Sequence, residues 1–194
     1  GYFDMIGMPY TCCGVTVSSL TFNKAFTVAT LSRLGVNTAL SVVVRRNDKS
    51  TADDILSKIY LPCFVKPNEG GSSIGTSKVK HKEELMPAVE KALKEGEEVI
   101  IEEFIEGTEL TCGVIRYNGK VKALAISEVV CTKEVFDFDA KYIDKSTEEI
   151  TPARIQLSTE AECKNLSEYI YRALRCRGMI RIDYILKKNK LYLL

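Results

Sequence analysis

A chain of 194 residues that is 45% hydrophobic and 27% charged has the make-up of a folded globular protein, long enough for one large domain or two small ones. A net charge of +1 gives no bulk attraction for nucleic acid or an anionic membrane, and no apolar run approaches the roughly 20 residues that span a bilayer. The one histidine, His81, sits in a polar run, which leaves a Ser–His triad without a base and rules out a multi-histidine metal site within the chain. Any catalysis therefore rests on Lys, Arg, carboxylates and hydroxyls.

The seven cysteines (Cys12, Cys13, Cys63, Cys112, Cys131, Cys163 and Cys176) are odd in number and irregularly spaced, with no Cys-x-x-Cys. They read as structural or buried thiols of a reducing cytosol, not as a zinc site. The opening Gly1-Tyr2-Phe3-Asp4 is neither a signal peptide nor a natural start, so the chain reads as a fragment.

Residues 1–16 are expected to be irregular, broken by Pro9 and Gly14. Apolar residues at helical spacing predict one helix over 18–34, ended by Gly35, with Lys24 upon it as a solvated lysine on local grounds. A short strand follows at 39–44, then a helix over 50–60 capped by Ser50 or Thr51, with Asp53 and Asp54 in its first turn. Strands at 61–66 and 76–79 flank a glycine- and serine-rich tip, and an amphipathic helix over 82–95 closes at Gly96.

Beyond residue 97 the pattern changes. A buried strand at 99–101 leads into an acidic stretch, and strands at 110–116 and 121–127 form a hairpin about Asn118-Gly119. A polar loop is predicted over 129–152, then a helix over 159–174 capped by Ser158. A last hairpin pairs 179–186 with 190–194 about Lys188-Asn189. The order gives an α+β chain of two lobes.

The tip deserves its own chemistry. Phe64-Val65-Lys66-Pro67 delivers a lysine at a strand end, and Gly70-Gly71-Ser72-Ser73-Ile74-Gly75 follows. Glycines let backbone amides approach an anion, and short hydroxyls add donors. That suits a hairpin gripping a polyphosphate, and equally an ordinary flexible turn. It is neither a Walker A loop nor a Gly-x-Gly-x-x-Gly turn. On local grounds Glu102, Glu103, Glu106 and Glu109 read as a solvated acidic face. Arg181 and Asp183, two apart on an apolar strand, read as an exposed ion pair or as working groups.

In order along the chain, Pro9-Tyr10-Thr11, Asn23-Lys24, Phe64-Val65-Lys66-Pro67 with Gly71-Ser72-Ser73-Ile74-Gly75, Glu102-Glu103-Phe104-Ile105-Glu106-Gly107 with Glu109, Asp139-Ala140-Lys141-Tyr142, Cys176-Arg177-Gly178 and Arg181-Ile182-Asp183 resemble the ATP-grasp ligases. Within them the match is to the D-alanine–D-alanine ligases. The resemblance implies an ATP-grasp fold, with a central lobe over 1–101 carrying the lid hairpin and a C-terminal lobe over 102–194 carrying a long covering loop. It places ATP between the lobes, with Mg2+ or Mn2+. Lys24 and Lys66 would meet the phosphates beneath Ser72 and Ser73. Glu102 and the backbone of Glu103 and Ile105 would hold the adenine, and Glu109 the ribose. Asp183 would bind the metal, and Arg181 would stabilise the transferring phosphoryl. Lys141 and Tyr142 would join the site from the covering loop, Tyr142 bonding to Ser72.

The reaction implied joins two D-alanines through an acylphosphate, for peptidoglycan precursors, in a cytoplasmic and commonly dimeric enzyme without nucleic-acid or membrane partners. The family continues past Leu194 with further metal ligands and carries an N-terminal domain, so the isolated chain is expected to lack activity. Phe136 and Phe138 stand where the family commonly has tyrosines. A depsipeptide-forming ligase and a non-catalytic nucleotide-binding module stay open as alternatives; Lys141-Tyr142 speaks against the first, and retention of both lysines, Arg181 and Asp183 against the second.

Overall fold

A computed structural model describes residues 1–131 and 147–194. Its elements run α1 (Tyr2–Met5), α2 (Val15–Phe22), α3 (Lys24–Arg33), β1 (Ser41–Arg45), α4 (Ala52–Leu56), β2 (Cys63–Pro67), β3 (Ser77–Val79), α5 (Lys82–Ala92), β4 (Glu98–Glu103), β5 (Thr108–Tyr117), β6 (Lys120–Cys131), β7 (Thr147–Ile150), α6 (Leu157–Ala173), β8 (Met179–Lys187) and β9 (Lys190–Leu193). They form two antiparallel sheets, ordered β1-β4-β2-β3 and β7-β6-β5-β8-β9.

Each sheet is half-buried, and the strand alternation says which half. In β2, Cys63 and Val65 point into a core with Leu85, Val89 and Ala92 of α5 and Ile55 of α4, while Phe64 and Lys66 face the other way. In the second sheet, Leu110, Cys112 and Val114 of β5 and Ile182 and Tyr184 of β8 point under α6, against Cys163, Ile170 and Tyr171. The buried Tyr184 hydroxyl is satisfied by Ser167 Oγ at 2.8 Å. Cys13, Leu31 and Val36 also pack into this second core, so the start of the chain leans on the later lobe. The six described cysteines apart from Cys131 are unbridged, and five of them are buried, consistent with structural thiols.

Register then places the polar residues. Thr111 faces Asp183 and Gly113 faces Arg181 across β5 and β8, so Glu109, Thr111, Arg181 and Asp183 share the face away from α6. Across β2 and β4, Phe64 pairs with Glu102 and Lys66 with Ile100, which puts Lys66 and Glu102 on the face away from α5. Both two-residue hairpins have left-handed backbone at their tips: φ is 47° and 77° at Asn118 and Gly119, and 47° and 60° at Lys188 and Asn189.

Several expectations are corrected by the structure. The single helix predicted over 18–34 is two, broken at Asn23, whose backbone is extended and whose side chain caps α3 by accepting from the Phe26 amide. Residues 1–16 are not wholly irregular, since α1 lies within them and α2 begins at Val15. The loop predicted over 129–152 is shorter at both ends, because the end of β6 pairs with β7, Cys131 opposite Thr147 and Glu128 opposite Ile150. A buried Glu128 then grips Arg154 through both oxygens, at 2.7 and 2.8 Å, and holds the chain after β7 on the sheet. The helices at 50–60 and 82–95 are shorter than predicted, but Thr51 caps α4 as expected.

The start of the chain docks on β8 through Gly178. Its φ is +67°, and a Cβ there would overlap the Thr11 carbonyl oxygen, which accepts from the Met179 amide at 3.1 Å. Arg177 beside it lies 4.5 Å over the Tyr10 ring and 2.5 Å from Asp4. Gly178→Ala is therefore expected to lower the unfolding free energy by about 2–4 kcal/mol, read from denaturant titration. An unchanged midpoint would show that the docking is not needed for stability.

Candidate active site

The described site residues gather in two groups, one on the open face of each sheet. The first surrounds the root of the lid. Lys66 leaves β2 and its ammonium lies 2.7 Å from Glu102 Oε2, with the two side chains only 18% and 13% exposed. Such a pair is held by mutual need, because either charge alone would lose water without compensation.

Lys24 is the first residue of α3, and its ammonium reaches across to the lid root. It donates to the carbonyls of Pro67 at 2.9 Å and Gly70 at 3.2 Å. Burial and the Lys66 charge depress its pKa below the ordinary 10.5, against the opposing pull of Glu102 and Glu69. Further along the lid, Ser72 and Ser73 have φ of 54° and 57°, consecutive left-handed residues that are not glycine. That conformation costs energy and clusters at functional sites.

The second group is on β8 and β5. Arg181 grips Asp183 through two bonds of 2.9 Å, and Thr111 Oγ1 donates to the same carboxylate at 2.7 Å. Asp183 raises the Arg181 pKa further, helped by Glu149 and Glu109. So the ion pair weighed from sequence is formed, and the carboxylate expected to bind metal is occupied by a cation of the chain itself. Among the described residues, no three His, Cys, Asp or Glu cluster as a metal cage. Asp183 supplies one hard oxygen site, not a full coordination shell.

At the end of β4, the Glu103 amide donates to Leu40 O at 3.0 Å and its carboxylate accepts from the Leu40 amide at 3.0 Å. Ile105, between β4 and β5, and Glu109, the second residue of β5, are half-buried nearby in sequence. Lys141 and Tyr142 lie outside the described residues, as does the Tyr142–Ser72 bond. Sequence reasoning missed Thr111, which only the β5–β8 register reveals, and it missed Asn68 and Glu98, considered below.

The profile of a family described as "D-ala D-ala ligase C-terminus" matches residues 30–194. The chain belongs to the D-alanine–D-alanine ligase family. It is 46% identical over 190 residues to a D-alanine–D-alanine ligase of Phocaeicola vulgatus, covering 98% of this chain and 58% of that relative. It is 47% identical over 188 residues to that of Parabacteroides distasonis, covering 96% and 56%. The chain thus spans less than two thirds of these ligases. Among solved structures it superposes on the VanG D-Ala:D-Ser ligase of Enterococcus faecalis with a TM-score of 0.86 at 30% identity, covering 98% of this chain and 56% of that one. It matches the Bacillus anthracis D-alanine–D-alanine ligase complexed with ATP with a TM-score of 0.83 at 26% identity, covering 100% and 60%. The ATP-grasp architecture is therefore that of these ligases, as the resemblance implied, and the two antiparallel sheets with helices match the α+β class read from the element order.

The depressed Lys24 has a signed consequence. Its folded pKa lies below its unfolded one, so the unfolded chain holds more protons between them, and stability rises with pH in that window. Nucleotide-free protein should therefore gain stability relative to Lys24→Met as pH climbs towards 10.5. Parallel denaturant titrations at neutral and alkaline pH check this; a constant difference would mean that Lys24 is not strained.

Proposed function

We propose that the protein to which this chain belongs is a cytoplasmic, ATP-dependent ligase that joins two D-alanines for peptidoglycan synthesis. Residues 1–101 and 102–194 are its two ATP-grasp lobes, the first with the lid. The observation that supports this best is the gathering of Lys24, Lys66 and Glu102 at the root of the lid hairpin.

In this reading the carboxylate of one D-alanine attacks the γ-phosphorus of ATP. The bond to the β-phosphate oxygen breaks, giving an acylphosphate and ADP. The amine of the second D-alanine then attacks the acyl carbon, phosphate leaves, and the amine proton passes to solvent. Lys24 and Lys66 turn from their internal partners to the phosphates, which a triphosphate's charge favours. Glu102, released from Lys66, and the Glu103 carbonyl face the adenine, since the Glu103 amide is engaged with Leu40. The Ile105 backbone completes that edge, and Glu109 accepts from the ribose. Ser72 and Ser73 cap the phosphates, with Lys141 and Tyr142 from the covering loop.

Arg181 and Asp183 part, so that Arg181 meets the transferring phosphoryl and Asp183 is free for a cation. The donor set fits Mg2+ or Mn2+ only in part, with Asp183 as the ligand from the described residues; such an ion would offset phosphate charge. Partners beyond D-alanine and ATP reduce to a second copy of the protein.

The test is turnover by the full-length protein with ATP, Mg2+ and D-alanine, read as phosphate release and dipeptide by chromatography. Arg181→Ala should lower kcat by roughly 100-fold or more, the scale of one lost charge-stabilising donor. Preference for a hydroxy acid over D-alanine would indicate a depsipeptide ligase, and ATP binding without turnover a nucleotide-binding module; either result contradicts the proposal.

A further inference from the structure

Five hydrogen bonds meet on one buried residue between the lid and α3. Asn68 follows β2 directly and is 1% exposed. Its amide donates to Glu98 O at 2.9 Å, and its carbonyl accepts from the Lys24 amide at 3.0 Å. Its side-chain Oδ1 accepts from the Ala25 amide at 2.9 Å, and Nδ2 donates to Glu98 Oε2 at 2.8 Å. The other Glu98 oxygen is held by Arg45 Nε at 2.8 Å. A chain of bonds thus runs from Arg45 on β1 through β4 to the first turn of α3.

The remaining first-turn amide, of Phe26, is taken by Asn23 Oδ1 at 3.0 Å. So the start of α3 turns no free amide towards a ligand, and phosphate recognition at this helix end falls to the Lys24 ammonium. That ammonium donates to the Asn68 carbonyl itself at 3.5 Å and to those of Pro67 and Gly70 on either side of it in the chain. A shift of α3 against the lid root would move it.

We propose that Asn68 is a positioning residue for phosphate binding: with Glu98 behind it, it fixes where Lys24 stands relative to the lid. This rests on the reading that Lys24 meets the phosphates. A residue that merely fastened α3 to the sheet would have the same bonds but a different energetic signature.

The experiment measures Kd for ATP and for adenosine by calorimetry in the full-length protein. Asn68→Ala should weaken ATP by about threefold to tenfold, the net worth of one hydrogen bond, and leave adenosine unchanged. In a Lys24→Ala background it should add no further loss for ATP. The exchange of donor and acceptor gives a second route should Asn68→Ala not fold. Asn68→Asp sets two carboxylates against each other and should weaken ATP, and adding Glu98→Gln should restore the affinity to within about twofold. Unchanged ATP affinity in Asn68→Ala, an equal loss for adenosine, an equal loss without Lys24, or no recovery in the paired variant would each overturn the proposal. If Lys24→Ala itself binds ATP normally, the phosphate reading fails, and the proposal with it; if only Asn68→Ala does, the phosphate reading stands.

Discussion

Lys66 and Glu102 close to 2.7 Å on a face of the first sheet where both side chains are largely shielded from water. Neither could be removed from that face alone without leaving an uncompensated charge, so the pair constrains everything placed around it. Lys24 is brought to the same region and feels Lys66 as a like charge and Glu102 as relief. Two cations meet the Glu102 carboxylate there, Glu69 adds a second carboxylate that acts on Lys24, and lid-root carbonyls take up the Lys24 ammonium. A polyphosphate would bind such a site by replacing these internal partners.

The second sheet repeats the theme. Arg181 is satisfied by Asp183, and Thr111 completes the carboxylate. In both sheets the face under a helix is apolar and the opposite face carries the charges, which is what strand alternation delivers once one face is buried. The fold therefore holds these charged groups in a neutralised form. On the proposed reading, part of a nucleotide's binding energy is spent on exchanging partners, a cost that a rigid, empty cationic pocket would carry instead as lost stability.

Much of this was legible in the sequence, and particular residues show where legibility ended. The Asn118-Gly119 and Lys188-Asn189 tips were readable because a two-residue hairpin demands left-handed backbone. Two-residue spacing on one strand put Arg181 and Asp183 on a shared face and left an ion pair as one of two readings; the pair is formed. The break at Asn23 was not read, because apolar periodicity runs through it; what ends α2 is a side chain turned to cap the next helix, a tertiary choice that leaves the pattern intact. The β6–β7 pairing was missed because β7 is a four-residue strand with Glu148 and Glu149 at its centre and no apolar alternation to mark it. Lys24 looked solvated on local grounds. Its burial depends on the lid folding back some forty residues later, which no window along the chain can see. Asn68 likewise drew no attention along the chain, because its partners come from α3 and β4.

The exchange of partners can be measured without any chemistry. Inorganic tripolyphosphate has the anionic groups of the nucleotide and no adenine, so it isolates the cations. If Glu102 holds Lys66 back in the free protein, Glu102→Gln should bind tripolyphosphate more tightly than the unsubstituted protein, by about threefold to tenfold in a calorimetric titration. Equal or weaker binding by Glu102→Gln would contradict the account, because Lys66 would then not be released by loss of its partner.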